Sequence, residues 1–554
     1  MTRDGDDAPA AATASRPGVV ARSEWRWVGA VSAICLLATI LPLVYALCVT
    51  PPGKVFLWNN RLDAQDLYTY LSWMDQGARG NLLFRDRFTT ESHDRVLFLP
   101  LFLVGGWISR LSGLSPPVTY HAFRVLLSAV LLVIAYHWIA RLHADVGTRR
   151  VALLLVAFSS GLGWLARRWD LPSTDLGIPE SITFMSLYQS PLFVASLACM
   201  LVIFRGAPGP SQKPTPGRMA APTGASFALA WIHPYDVVTV LVVGAAWTVL
   251  VSLRRRGDGG RDRRGAAIWL SCVTAGALPA IAYNGWITLA EPVFRGWAQM
   301  VHAPSPSPLG YGFGFGLLLP LAAFGARDFL RGSDDRRLLP LVWIVAAALL
   351  VYAPASFQRR LVHGAHLPLC VLAASGVSRL RAWIAARARA VARRDRLPRG
   401  VLAAAAALLL SASNIWMISE NVKAYRSGVA PYYLRREYLD AFRWLRESTW
   451  PDHAVLSSLA TGSFIPGIAG NTVYVGHWGL TLSVHEKKAT VEGFFETDQR
   501  DEEKQAFLRA MGIVYLFHGE IERRLGPYSP ESKPYLERVY GNRLVSIYRY
   551  SGAT

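Results

Sequence analysis

Charge is thin in this chain, and acid is thinner than base. Of 554 residues 17% are charged, with 38 Asp and Glu against 58 Lys and Arg. Soluble domains typically carry about 25% charged residues, so the length does not translate into a string of soluble domains. Cysteine is scarcer still. The five (Cys35, Cys48, Cys199, Cys272, Cys370) all fall inside apolar runs and none forms a CxxC pair. That excludes a cysteine zinc site and a disulfide framework, and leaves small core hydrophobes. Walker and Rossmann fingerprints are lacking too. The glycine-containing run TGSFIPGIAG at 461–470 fits neither, so no nucleotide site is expected.

The formal charge of +20 points to nucleic acid only superficially. The arginines cluster in short linkers between apolar runs, with no separate basic surface to track a phosphate backbone. They follow instead the positive-inside pattern, which also grips anionic headgroups.

What the chain has is apolar surface: 52% hydrophobic residues and 19 Trp. Repeated runs of roughly 17–25 residues match what a bilayer demands of a helix. A polytopic membrane protein follows, with membrane lipids as its surroundings. The runs lie at 25–48, 96–111, 118–142, 151–164, 182–204, 225–253, 266–289, 310–324, 338–352, 361–374 and 401–418. Residues 1–24 read as a disordered cytoplasmic tail. The first run is longer than a signal-peptide core and reads as a retained anchor. The basic linkers at 205–218, 254–264, 326–337 and 379–399 belong on the cytoplasmic side. The loops at 49–95, 167–181, 231–236, 289–309 and 354–363 then face the other way. This works only if 96–111 or 118–142 is re-entrant or half-spanning, giving about eleven or twelve spans in all. The multi-pass domain occupies 25–422.

From 423 to 554 no spanning run occurs. Residues 436–448 place Tyr438, Phe442 and Leu445 at helical spacing, and 501–511 reads as another helix. Short β-like runs stand at 454–459, 473–475, 513–517 and 544–550. The expectation is a soluble α/β domain on the side of the loops.

Candidate chemistry lies in those loops. Asp63 and Asp66 are three apart and share a helix face, among the boundary aromatics Trp58, Tyr68, Tyr70 and Trp73. Either could act as a general base on an acceptor hydroxyl, or both could be a solvated helix face. His93 and Arg95 end the same loop. Asp175 and Glu180 sit in the Pro- and Gly-punctuated stretch RRWDLPSTDLGIPES, and no spacing there has the character of a metal motif. His233-Pro234-Tyr235-Asp236 interrupts an apolar hairpin, where a His and an Asp are costly unless they face protein or water. Arg359, Arg360 and His363 suit a lipid-linked phosphate, although snorkelling to headgroups would use the same residues. In the C-terminal domain, Gly476-His477-Trp478-Gly479 offers a ring to stack on a sugar.

Together the stretches RLDAQDLYTYLSWMDQGARGNLLFRDRF, HPYD, QRRLVHGAHLPL and GHWGLTLSVHEKK resemble the GT-C class of membrane glycosyltransferases. The likeness is to bacterial relatives of the oligosaccharyl- and mannosyl-transferases. It departs from the commonest pattern in lacking an adjacent Asp-Glu pair in the first loop. The resemblance implies a mainly α polytopic bundle with a C-terminal α/β domain, placed in the bacterial cytoplasmic membrane with its site on the extracytoplasmic side. It implies a polyprenyl-phosphate sugar as donor and a glycan, lipid or protein acceptor. Asp63 or Asp66 would serve as base, and Arg359 and Arg360 would stabilise the departing phosphate. His93, Glu180 and His233 would line the pocket. A monophosphate leaving group does not oblige a metal, so no cofactor is expected, with a divalent cation left open. A transporter or flippase, or a non-catalytic scaffold of envelope assembly, is the competing reading.

Overall fold

The computed structural model describes residues 18–62, 65–210, 212–254, 260–300, 302–390 and 399–552. Most of the expected N-terminal tail, and Asp63 itself, lie outside them. Helix α1 (Arg22–Cys48) is tied near its start by its own Glu24 to Arg149 and ends at the first loop. That loop holds strand β1 (Lys54–Phe56) and helix α2 (Asp66–Ala78). Helix α3 (Pro100–Ser112) then folds back along α2. Gly106 makes this possible, because a Cβ there would stand 2.3 Å from the Met74 carbonyl oxygen.

Both ends of α3 stay with the first loop: Val96 bridges Phe84 before it, and Arg110 reaches the Ala78 carbonyl near its end. Of the two runs that could not both cross, α3 is therefore the one that does not. Helix α4 (Pro116–Leu142) crosses, from His121 against Trp58 at the loop end to Arg141 against Arg205 at the other.

The remaining helices of the multi-pass domain are long spans and the short segments that join them. They are α5 (Val146–Phe158) with its bent continuation α6 (Gly163–Ala166), α7 (Thr183–Gln189), α8 (Pro191–Arg205), α9 (Pro216–Ile232), α10 (Pro234–Arg254), α11 (Arg261–Ala290), α12 (Pro292–Met300), α13 (Pro308–Phe315), α14 (Leu318–Leu330), α15 (Leu339–Leu350), α16 (His366–Ala390) and α17 (Arg399–Arg426). Among the described residues five are long and apolar enough to cross a membrane, or seven if each bent pair is one span. Shorter apolar helices such as α8 pack beside them. The protein is a multi-pass membrane protein. Its main core joins Val28, Leu131, Trp138, Leu201, Val240, Trp269 and Trp343 across the bundle.

One end of the bundle carries the arginine linkers, with Arg254 on Asp335 and Arg336 on Asp334. The other gathers the first loop, the turns around residues 175, 233 and 360, α12 and the C-terminal domain. That domain starts at strand β2 (Tyr433–Arg435), which pairs antiparallel with β1. Helix α18 (Arg436–Ser448) follows, as its spacing predicts, and buries Tyr438, Ala441, Phe442 and Leu445. Its large apolar side chains are each worth roughly 1.5–3 kcal/mol of burial.

Strands β3 (Ala454–Leu456), β4 (Ile513–His518), β5 (Leu536–Gly541) and β6 (Ser546–Tyr550) form a sheet in the order β3-β4-β6-β5. The pair β3-β4 is parallel and the other pairs are antiparallel. The run expected as a strand at 473–475 forms only an isolated bridge, Val473 to Val455. Helices α19 (Leu459–Gly462), α20 (Ile465–Ile468), α21 (Val484–Glu496), α22 (Asp501–Ala510) and α23 (Glu520–Arg523) complete the domain. A second core runs from Leu67, Tyr68 and Leu71 of α2 through Phe442 to Phe517 and Ile547 of the sheet. The first loop and the last domain thus share one hydrophobic interior.

Candidate functional site

Two groups of predicted residues lie at the loop end, and the first turn of α8 borders one of them directly. Leu192 and Ala195 of that turn pack into the core containing Leu67 and Tyr68, next to Asp66. Phe193, between them, sets its ring against His233 at 5.9 Å and His363 at 5.5 Å.

The first group is Asp66 with His477. Asp66 opens α2, where a carboxylate suits the helix dipole. Its Oδ1 lies 3.2 Å from Nε2 of His477, while His477 Nδ1 accepts the Gly479 amide at 3.1 Å. The carboxylate side chain keeps 41% of its exposure, so its reach to a solute is not blocked. Trp478 stands beside His477, half-exposed, with ring centroids 5.6 Å apart.

The second group forms where His233 ends α9 and Pro234 begins α10. Proline cannot continue the preceding helix, so the chain breaks there. Asp236, in the new first turn, accepts from His233 Nδ1 at 2.8 Å and from His363 Nδ1 at 2.7 Å, both on Oδ2. The Ser196 hydroxyl donates to the same oxygen. His363 arrives from a 3₁₀ turn at Gln358–Val362, held by the Arg359 amide on the Ala303 carbonyl at 3.1 Å. Gly364, at φ +82°, turns that segment into α16, and a Cβ there would strike Trp343 at 2.5 Å. The Arg360 guanidinium lies 4.9 Å over the Tyr235 ring. The turns bearing Arg359 and Glu180, Gln358–Val362 and Pro179–Ser181, are in contact.

Several polar atoms here are buried without a partner among the described residues: Nε of Arg359, Nε of Arg360, Nε2 of His363 and Oδ1 of Asp236. Glu180, 7% exposed, also makes no hydrogen bond or ion pair among the described residues. Buried polar atoms without partners call for a ligand, an ion or water.

Other predicted residues serve the scaffold. The Asp175 carboxylate accepts the amides of Gly161 at 2.9 Å and Gly163 at 3.2 Å and the Ser173 hydroxyl, capping the bend after α5. Burial raises its pKa in spite of those bonds. The turn after α2 is closed by His93, whose Nε2 accepts the Asp86 amide at 3.0 Å while Nδ1 donates to the Glu91 carbonyl at 2.7 Å. Burial lowers the His93 pKa, in keeping with that neutral ring. Arg95 lies at the surface, 2.8 Å from Asn81 and 3.8 Å from Asp452. None of the three joins either group. Ser196 and Phe193 do touch the second group. They lie in apolar runs with nothing in their spacing to distinguish them.

Residues 102–543 match the family of unknown function DUF6541, and the chain belongs to that family. No curated protein matches the sequence. Solved structures do resemble it. The archaeal oligosaccharyltransferase AglB from Archaeoglobus fulgidus, in complex with an inhibitory peptide and a dolichol-phosphate, has a TM-score of 0.54 at 14% identity, covering 90% of this chain and 70% of that one. The same organism's oligosaccharyltransferase tethered with an acceptor peptide containing the NVT sequon scores 0.53 at 15% identity, covering 89% and 69%. ArnT from Cupriavidus metallidurans bound to undecaprenyl phosphate scores 0.45 at 12% identity, covering 96% and 98%. The fold is that of the GT-C class: a polytopic helical bundle with an appended α/β domain.

Proposed function

We propose that this DUF6541 protein is a membrane glycosyltransferase that moves a sugar from a polyprenyl-phosphate donor to an acceptor hydroxyl of the cell envelope. The observation that carries the reading is the buried, unpartnered pair of guanidinium Nε atoms at Arg359 and Arg360. They sit at the end of the bundle that also presents Asp66 and the C-terminal domain. A solute phosphate would satisfy both arginines, and planar bidentate contacts are what arginine offers it.

In this mechanism the donor phosphate lies on Arg359 and Arg360 at the outer face of the membrane. Asp66, or Asp63 beside it in sequence, takes the proton of the acceptor hydroxyl. The hydroxyl oxygen then attacks the anomeric carbon from the face opposite the phosphate. The bond between that carbon and the phosphate oxygen breaks, configuration inverts, and the lipid phosphate leaves. The arginines hold the charge that develops on it, the contribution that usually dominates such steps. His233, Tyr235 and Glu180 would wall the donor sugar, and Trp478 would meet the acceptor.

The test is transfer of label from a panel of radiolabelled polyprenyl-phosphate sugars by the purified full chain. Asp66→Asn or Asp63→Asn is expected to reduce the rate by about 10²–10⁴, as removal of a general base does. Arg360→Ala is expected to cost on the order of 10²–10³. Undiminished transfer in both aspartate variants removes the base from the mechanism. No transfer from any donor by the wild-type chain overturns the reading.

A further inference from the structure

The His233–Asp236–His363 cluster has more donor capacity than its internal hydrogen bonds use. All three residues are buried, at 3%, 0% and 0% exposure. One ligand-capable atom from each lies within 4.8 Å of the others. Both imidazoles and Ser196 converge on the single oxygen Oδ2 of Asp236. Oδ1 of the same carboxylate and Nε2 of His363 are left with nothing. A polar network built only to hold helices together satisfies its members, because low local dielectric makes an orphaned group expensive. This one leaves Oδ1 of Asp236 over, while Nε2 of His363 lies on the ring edge turned away from Asp236 and is no part of the cluster.

Two imidazoles and a carboxylate are the ligands that zinc-type dications take, at about 2.0–2.2 Å. Three protein ligands with an open fourth position is the arrangement of zinc sites that exchange an oxygen ligand, whereas structural sites close all four. Donor atoms around such a tetrahedral ion stand roughly 3.3 Å apart on those bond lengths. The pairs observed at 2.7 and 2.8 Å would open by about half an ångström, and the two imidazole nitrogens, within 4.8 Å of each other, would settle to about the same spacing. The surroundings hold the ligands in place: Phe193 presses on both imidazole rings and Ser196 supports the carboxylate. Tyr235 stands between the cluster and Arg360, with its ring 5.5 Å from that of His233. A dication beside that arginine leaves net positive charge, which an oxyanion on the fourth position would neutralise.

We propose that His233, Asp236 and His363 bind one zinc-type dication with a position open to an oxyanion. The site stands on its own geometry and does not require that the protein transfer sugars.

The test uses the full chain in detergent, stripped with a chelator and then given Zn²⁺ alone or Co²⁺ alone. One zinc per chain by elemental analysis is expected after removal of unbound metal. Co²⁺ should give the visible d–d absorption of a low-coordinate nitrogen and oxygen site, and added inorganic phosphate should shift it. His233→Ala and His363→Ala should each abolish the bands. Ser196→Ala should weaken the metal 10- to 100-fold, as loss of a supporting hydrogen bond does. His485→Ala, an exposed histidine on α21, should change nothing. A wild-type chain that retains less than stoichiometric zinc overturns the proposal, whether or not the variants fold. Zinc equally retained by a His233→Ala/His363→Ala double variant also overturns it. Bands indifferent to phosphate would remove the open position.

Discussion

His477 and Asp66 meet at 3.2 Å across 411 residues of sequence, so the last domain supplies a partner to the first loop's acid. Because the Gly479 amide occupies Nδ1, the neutral ring carries its proton on Nε2 and donates it to Asp66. The contact fixes one carboxylate oxygen and leaves the other available. Under the proposed mechanism His477 is a positioning residue. His477→Ala should lower the rate at saturating donor about 10²-fold, as misplacement of a reacting group by an ångström does. The KM for donor should stay unchanged. His477→Gln, which keeps a donor, should recover most of the rate. Equal loss in both variants would mean that the contact does not aim the carboxylate.

A second junction between loop and domain bears on stability. Asp75 of α2 is 1% exposed and accepts Arg79 at 2.9 Å, Arg87 at 3.4 Å and Arg446 of α18 at 2.7 Å. Asp75→Ala leaves Arg87 buried without its ion-pair partner and should cost about 3 kcal/mol. Arg79 and Arg446 still reach water and contribute little of that, so Arg446→Ala should cost about 1 kcal/mol or less. Thermal unfolding in detergent compares the two. Equal shifts in Tm would contradict this division.

Acid and base should act oppositely on two neighbouring carboxyls of the first loop. Burial raises the Asp86 pKa well above the ordinary range, with the Phe88 amide and Lys487 pulling only partly back. Its folded form therefore keeps a proton that the unfolded chain releases above pH ~4, and its contribution to stability falls as pH rises from there. Against the burial that raises it, Lys487 and Thr89 hold Glu91 below its usual value, so Glu91 adds stability above that range and loses it on acidification. Asp86→Asn keeps the oxygen that accepts the Phe88 amide and needs no proton. Relative to wild type it should be more stable at pH 7 and nearly equal at pH 4, with Glu91 cancelling in the difference. A constant offset across that range would count against a neutral Asp86.

The parts of this architecture legible in the sequence are those encoded locally. The spacing of Tyr438, Phe442 and Leu445 predicts α18 to its ends, and Pro234 marks the break between α9 and α10. Helix α21 was less visible, because Lys487, Val491, Phe494 and Phe495 are buried along a stretch that begins with charge. The β-branched residues of 473–475 predict a strand, but among the described residues the run makes only the isolated bridge of Val473 to Val455.

Pairings made by the fold could not be read. His363 reaches Asp236 from 127 residues away, and nothing near either residue names the other. Asp175 has the same composition-level signal as Glu180, yet two backbone amides claim the first and none claims the second. Which acid is spent on the backbone is decided by a bend after α5 that no local spacing displays.

The antiparallel pairing of Lys54–Phe56 with Tyr433–Arg435 also sets a timetable for biogenesis. A ribosome delivers the first of these strands nearly four hundred residues before the second, so the first loop waits, unfinished, while the intervening helices enter the bilayer. Chains released early would carry the whole arginine-bearing end of the bundle, yet an incomplete mouth.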